Sequence, residues 1–331
     1  MTVCPDIDLG QRYNRAVGLW NEEKYLQVLE YSTENIALCE YLSNYKLWVK
    51  NQKLQAMAYY KLDYFDKSVE KYQMILEDEE RFISNFGEEP LNGIKYGLSL
   101  SKRFSGDSWG GYELLLDILE NSTDNDLKTR TVICLGNLLR YFYEISNKRD
   151  YLNQAINILR NNIISEKLDN QMLAHYKNTL GTIYLHKNET DKAFHLLNEV
   201  MEMDNNSFIV GYTMNALAWL YMLENENKEA KKYLDKAYKI HAKENDKLGL
   251  YRNYFLKGMW YKEQKLYEKA AEFLRKSCEI DEGKYVLLEL LNVSYQLFKL
   301  HEKVNPAKAA KHFTTCQQIK EKLYTSKEDK R

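Results

Sequence analysis

The sequence predicts an all-α protein, a right-handed α-solenoid of about seven to eight helix pairs stacked in chain order. Two observations carry that expectation. Only 14 Gly and 3 Pro punctuate 331 residues, which leaves long helices joined by short turns. A pair of small residues twelve positions apart, each accompanied by large apolar side chains, also recurs in phase along nearly the whole chain.

The clearest copy runs from Leu180 to Val200. Gly181 leads to Tyr184 three residues on, to Ala193 twelve on and to Leu197 four beyond that. This spacing suits two antiparallel helices whose backbones approach through Gly181 and Ala193, with Tyr184 and Leu197 filling the space around the contact. The polar run His186 to Asp191 reads as the turn, with Thr190 or Asp191 as N-cap of the second helix, and Met203 to Ser207 ends the unit.

From the start of the chain, Ala16, Leu19, Tyr25 and Val28 lay a first pair over residues 8–40, irregular as a terminal cap should be. Ala56, Tyr59, Phe65, Ser68, Tyr72 and Ile75 form the second, turning at Leu62 to Tyr64. A third begins at Gly97 and Leu100, its second helix displaced by a loop from Phe104 to Gly111. In the fourth, Gly136 and Leu139 reach Ala155 only after nineteen residues, so both helices are expected to be longer. After the Gly181 copy come Leu217, Ala218, Tyr221, Ala230, Leu234 and Ala237, then Gly258, Tyr261, Ala270 and Leu274. Ser294 opens an eighth, closed by Ala309 and Phe313 on a helix that starts at Pro306 after Asn305.

These residues resemble the tetratricopeptide repeat, whose signature is W-x2-L-G-x2-Y, then A-x3-F, then P. Tyr254 stands where the signature has Trp, Leu replaces Phe in the second helix, and Asn205, Ala242 and Glu282 stand in place of the closing Pro. The mean step between first-helix small residues is about 40, against the 34 of the plain repeat, so longer helices or turns absorb the surplus. The expected organisation is one superhelical domain over 1–331: N-terminal pairs over 8–80 for capping or partner contact, repeats over 81–320, and a charged tail over 321–331.

Composition excludes several functions. The 47 basic and 48 acidic residues are spread along the chain, so direct nucleic-acid binding and attraction to an anionic membrane are not expected. Cys4, Cys39, Cys134, Cys278 and Cys316 lie far apart without a Cys-x-x-Cys pair, as core thiols of a reducing compartment do. The amino terminus lacks a basic region followed by an apolar run, and no stretch approaches 18 apolar residues, so a cytoplasmic protein with no membrane span is expected. Among His175, His186, His195, His241, His301 and His312 there is no metal-ligand spacing, and Gly106 to Gly111 lacks the Lys-Ser/Thr ending of a phosphate loop. No catalytic residue, metal or cofactor is expected.

In tetratricopeptide proteins the first helices line a concave face that binds an extended peptide or a partner helix, and the resemblance implies the same use here. Helical phase selects the residues facing away from the second helix: Asn178 and Thr182, Asn215 and Trp219, Phe255 and Met259. One turn earlier come His175, Tyr212 and Arg252, and the fourth unit adds Arg130, Asn137 and Arg140. A side-chain amide both donates and accepts, so Asn178 and Asn215 at equivalent positions could hold a peptide backbone, with the three arginines meeting a carboxylate.

The stretch from Tyr254 to Ala271, in repeats rich in Lys, Asn and Tyr, is further similar to the peptide-pheromone receptors of Gram-positive bacteria and their phages, of the Rap and PlcR type. That resemblance implies a short signalling peptide in the groove, a quorum-sensing role, and a backbone clamp made by Asn137, Asn178 and Asn215. The first sixty residues already read as repeats, with no helix-turn-helix module ahead of them, so the resemblance implies either action by protein contact or an effector domain that has been removed. Three readings stay open: a non-catalytic peptide- or protein-binding regulator, a Rap-like response-regulator phosphatase or antagonist contacting its target through residues 8–80, and a static scaffold or chaperone. A second copy of the chain is a further candidate partner.

Overall fold

Seventeen helices and no strand make up residues 8–163, 168–203, 207–280 and 284–325, the residues described by a computed structural model. In chain order they are α1 (Leu9–Asn21), α2 (Tyr25–Tyr41), α3 (Tyr45–Lys61), α4 (Phe65–Leu76), α5 (Glu79–Phe86), α6 (Glu88–Phe104), α7 (Ser108–Asn121), α8 (Asn125–Ser146) and α9 (Asp150–Asn162). The remainder are α10 (Asn170–His186), α11 (Thr190–Glu202), α12 (Ser207–Leu223), α13 (Asn227–Lys243), α14 (Lys247–Glu263), α15 (Tyr267–Ile280), α16 (Lys284–His301) and α17 (Pro306–Thr325). They form an all-α helical repeat fold of eight pairs, with the short α5 as an extra element between α4 and α6. Two compact units meet inside α8, one ending at Leu138 and the other beginning at Leu139.

Turn chemistry explains why the helices stop where they do. In seven connections three residues separate the helices and the middle one is left-handed: Glu23, Ser43, Asp63, Asn188, Asn225, Asn245 and Lys265, at φ between 50° and 64°. Gly106 does the same between α6 and α7 at φ 97°. Asp and Asn side chains then start many helices by accepting the N–H three residues on, as Asp8 does for Gln11, Asn44 for Leu47, Asp107 for Gly110, Asp169 for Met172 and Asn305 for Lys308. The N-cap of α11 is Glu189, without a side-chain bond, so Thr190 and Asp191 are first-turn residues instead of caps. Pro306 sits at the first position of α17, where its missing N–H costs nothing.

The twelve-residue frame is a real close approach. A Cβ added to Gly181 would stand 3.0 Å from Leu197 Cγ and 3.6 Å from the Ala193 carbonyl oxygen. At Gly258 the corresponding distances are 2.7 Å to Leu274 Cγ and 3.3 Å to the Ala270 carbonyl oxygen. In the second pair the hydroxyl of Ser68 donates to the carbonyl of Ala56 at 2.8 Å across the same gap. The third pair keeps the frame too, through different residues. Gly111 would collide with the Ser99 carbonyl oxygen at 2.8 Å, so the pair is Ser99 with Gly111, while Gly97 makes room for the Tyr72 ring of the preceding pair. The expected loop up to Gly111 shrinks to three residues, and Gly110 and Gly111 lie in the first turn of α7. In the fourth pair only the first helix is long, α8 having 22 residues and α9 having 13.

In each unit the first helices of successive pairs pack on one another, α1 on α3 on α6 in one and α10 on α12 on α14 in the other, so they form the inner layer. Cys39 and Cys316 are buried free thiols, Cys134 and Cys278 are half-buried, and Cys4 lies outside the described residues. The helix α17 runs into the expected tail as far as Thr325, and 326–331 lie outside the described residues. No helix among the described residues is long and apolar enough to cross a membrane.

Candidate functional site

The inner layer of the second unit gathers charged and aromatic side chains from four successive first helices. At the end of α8 the carboxylate of Glu144 is ion-paired with Arg140 one turn earlier, and it also meets His186 Nε2 at 3.0 Å. His186 is the last residue of α10 and not part of the turn; its ring packs edge-on against Tyr143 of α8 at 5.3 Å and against Trp219 of α12 at 4.6 Å. Arg252 of α14 stands over the Tyr212 ring and is close enough to act electrostatically on both Glu144 and His186.

Burial by itself would raise the Glu144 carboxyl, but the Arg140 charge, the His186 hydrogen bond and the Arg252 charge outweigh it and hold the group well below the usual carboxylate range. His186 is pushed down, first by burial and then by the two guanidinium groups, against the opposing pull of Glu144. With Glu144 ionised, Arg140 and Arg252 leave a local excess of one positive charge. Trp219 and His186 are half-buried beside it, which gives a cation-rich, aromatic-walled spot suited to a carboxylate.

The other expected residues divide into three groups. Asn178 is half-buried, and its amide donates to the Thr213 hydroxyl of α12 at 2.9 Å. His175 is half-buried one turn before it on α10, its ring pushed down chiefly by burial. Arg130 and Asn137 belong to the first unit, where Arg130 pairs with Asp126 at 2.8 Å and the Asn137 amide donates back to the Ile133 carbonyl of its own helix at 3.1 Å. Met259 is half-buried.

Five residues do not line the face as helical phase suggests. Asn215 is only 3% exposed, and its amide donates to His241 Nε2 at 3.1 Å and accepts from the Asn253 amide at 2.8 Å. The physical reason lies in the partner helix α13 and in α14 of the next pair. His241 of α13 fills the space left by Gly211 and Gly249, and the Asn215 amide is the group that satisfies the buried imidazole. Tyr212 turns its hydroxyl inward to Asp246 at 3.0 Å, and Thr182 is buried with its hydroxyl on the Asn178 carbonyl at 2.8 Å. Phe255 packs against the core of α15 to α17, and Arg140 is 2% exposed beneath the site, its charge committed to Glu144.

Glu144 and His186 are the members that sequence reasoning missed. Arg140 and Glu144 carry a readable signal, opposite charges four apart on one helix. His186 carries none, because it sits at a helix end among polar turn residues.

Residues 212–243 and 251–284 match the tetratricopeptide repeat family. Both segments are similar to that repeat. They coincide with α12–α13 and α14–α15, the pairs that hold Trp219 and Arg252. No curated protein sequence matches the chain. Among solved structures, the fold is similar to a tetratricopeptide repeat protein from Parabacteroides merdae, 13% identical over 86% of this chain and 98% of that one, with a TM-score of 0.58. It is also similar to the Rap conjugation gene regulator of the plasmid pLS20, solved in complex with a Phr peptide, at 14% identity over 95% of this chain and 96% of that one and a TM-score of 0.61. A Rap protein complexed with Competence and Sporulation Factor is 13% identical over 96% and 99% of the two chains, with a TM-score of 0.56.

Proposed function

We propose that this chain is a non-catalytic regulator that binds an extended peptide, or an extended segment of a protein partner, along the inner layer of first helices from the end of α8 to α14. The observation that carries the reading is the convergence of Arg140, Glu144, His186, Trp219 and Arg252 from four first helices on one cation-rich aromatic spot. A ligand carboxylate, either a chain terminus or an acidic side chain, is the group that spot favours, with Trp219 covering an adjacent apolar side chain and Asn178 and His175 meeting the backbone beyond. The likeness to a Rap conjugation gene regulator solved with a Phr peptide supports a peptide occupant.

A display library of random peptides selected on the full chain tests this. The expected outcome is enrichment of acidic sequences whose affinity, read by fluorescence polarisation, falls by about tenfold or more in Trp219→Ala and in Arg252→Ala, a loss of about 1.4 kcal/mol or more for each. Peptides that bind both variants as tightly as the parent chain would remove the assignment.

A second reading rests on the same likeness, which extends over nearly the whole of both chains and so includes residues 8–80. In it these helices contact a phosphorylated signalling protein as an antagonist or phosphatase. Phosphate release from such a partner on adding the chain favours this reading; binding of peptide without phosphate release favours the first.

A further inference from the structure

Three helices at the C-terminal end of the second unit bring together side chains far apart in sequence. Glu268 lies in the first turn of α15, His301 is the last residue of α16, and His312 lies in the second turn of α17. One carboxylate oxygen and one nitrogen from each imidazole all fall within 4.8 Å of one another. Glu268 Oε1 is 3.5 Å from His301 Nε2 and 3.8 Å from His312 Nε2. Ligand atoms around a tetrahedral ion with bonds of about 2.0 Å stand roughly 3.3 Å apart, so the two sides at Glu268 close with a shift of a few tenths of an ångström, while the side between the imidazoles, which lies within 4.8 Å, closes by up to about 1.5 Å. Glu268 is 60% exposed, which gives its carboxylate room to close the two sides it shares and leaves the site open to solvent for entry.

The two imidazoles are held ready for a shared ligand. Their rings lie parallel, 12° apart in plane with centroids at 5.6 Å, and both direct Nε2 toward the same carboxylate. Packing of Ala270, Leu274, Leu297 and Ile319 fixes the three helices around them. His301 Nε2 is buried without a hydrogen bond, the kind of orphaned polar atom that folded proteins rarely keep without a use.

We propose that Glu268, His301 and His312 form a binding site for one divalent transition-metal ion of the zinc class, with the remaining position filled by water. Two imidazoles and one carboxylate suit zinc, copper or nickel and not calcium or magnesium, which take oxygen ligands in larger number. Arg275 and Lys311 lie near enough to His312 to oppose added positive charge, which weakens binding relative to a site without them. A bound ion would tie α16 and α17 to α15.

Calorimetric titration of the chelator-treated full chain with Zn2+ tests the site. The expected result is one equivalent bound, a melting temperature that rises with Zn2+, and affinity lowered by about tenfold or more in Glu268→Gln and in His301→Gln. Glu268→Gln changes an exposed side chain and keeps the fold intact, which far-UV circular dichroism of the metal-free protein verifies. Zn2+ bound equally tightly by the parent chain and by both variants, or no stoichiometric uptake by the parent chain, would overturn the proposal.

Discussion

Asn215 donates to the Nε2 of His241 at 3.1 Å, from a position that repeat phase assigns to a ligand. The Asn215 amide also accepts from Asn253, whose own amide donates to the Leu234 carbonyl, so three helices share one buried polar network. Replacing Asn215 by Ala strands the imidazole and the Asn253 amide together. The expected cost is about 2 kcal/mol, since a buried group left without its partner loses roughly 1–3 kcal/mol. Urea unfolding of Asn215→Ala should show it, whereas Trp219→Ala should leave the midpoint near the parent value and weaken peptide binding. Loss of affinity in Asn215→Ala without loss of stability would return that residue to the ligand-facing row.

Gly249 owes its place to the same imidazole. A Cβ there would stand 2.0 Å from His241 Nδ1, and the ring has little room to retreat, because a Cβ at Gly211 on its other side would stand 2.7 Å from Cε1. Gly249→Ala should therefore cost about 3 kcal/mol by displacing the ring from both Asp246 and Asn215. Gly18 in α1 is the control, with nothing within 4 Å of an added Cβ. Gly18→Ala should be neutral or stabilising by up to about 1 kcal/mol, the ordinary gain in helix propensity. Similar thermal midpoints for the two variants would contradict this account.

Acid sensitivity should trace in part to Asp246. Burial would raise its carboxyl, but hydrogen bonds from His241, the Gly249 N–H and Tyr212 prevail and hold it below its ordinary value. A depressed folded value means that the stability Asp246 contributes is complete above its unfolded value of about 3.9 and is lost as pH falls through the lower folded value. In Asp246→Asn, urea midpoints should lie below the parent by a constant gap above about pH 5, and the gap should narrow as pH drops below about 4. A gap that widens on acidification would reverse the sign and sink the assignment.

The left-handed turn positions predict a graded series. Lys265 occupies one at φ 60° and Asn225 another at φ 61°. Asn tolerates this region and Lys does not, so Lys265→Gly should raise stability by up to about 1 kcal/mol while Asn225→Gly changes it little. Thermal unfolding of the two variants side by side measures the difference, and an equal response would mean that turn strain is not what separates them.

Much of the scaffold was legible because backbone contact leaves few choices. Where two helices touch at the Ala193 or Ala270 carbonyl, only a small residue fits twelve positions earlier, and the sequence has to display it. The frame was misread at Gly97, where a glycine serving the Tyr72 ring drew attention from Ser99, the residue that meets Gly111. The candidate site was less legible. Phase puts Trp219, Arg252 and Asn178 on inner-layer helices, but whether a side chain stays open depends on what the neighbouring helices set against it. For Asn215 those groups are His241 and Gly249, 26 and 34 residues later, and no local pattern announces them. The trio of Glu268, His301 and His312 is hidden for the same reason, since each residue comes from a different helix.

The network of Asn215, His241 and Asn253 also limits how such a chain can be rearranged. A repeat array is commonly imagined as beads that can be duplicated, deleted or exchanged one at a time. Here α12 and α13 supply Asn215, His241 and the Leu234 carbonyl, while α14 supplies Asn253 and the Gly249 carbonyl, so neither repeat carries a complete set. Moved alone into another array, each would bring unanswered polar groups into an apolar seam. A chimera cut between α13 and α14 divides this network and should fold poorly, so α12 to α14 have to be moved together.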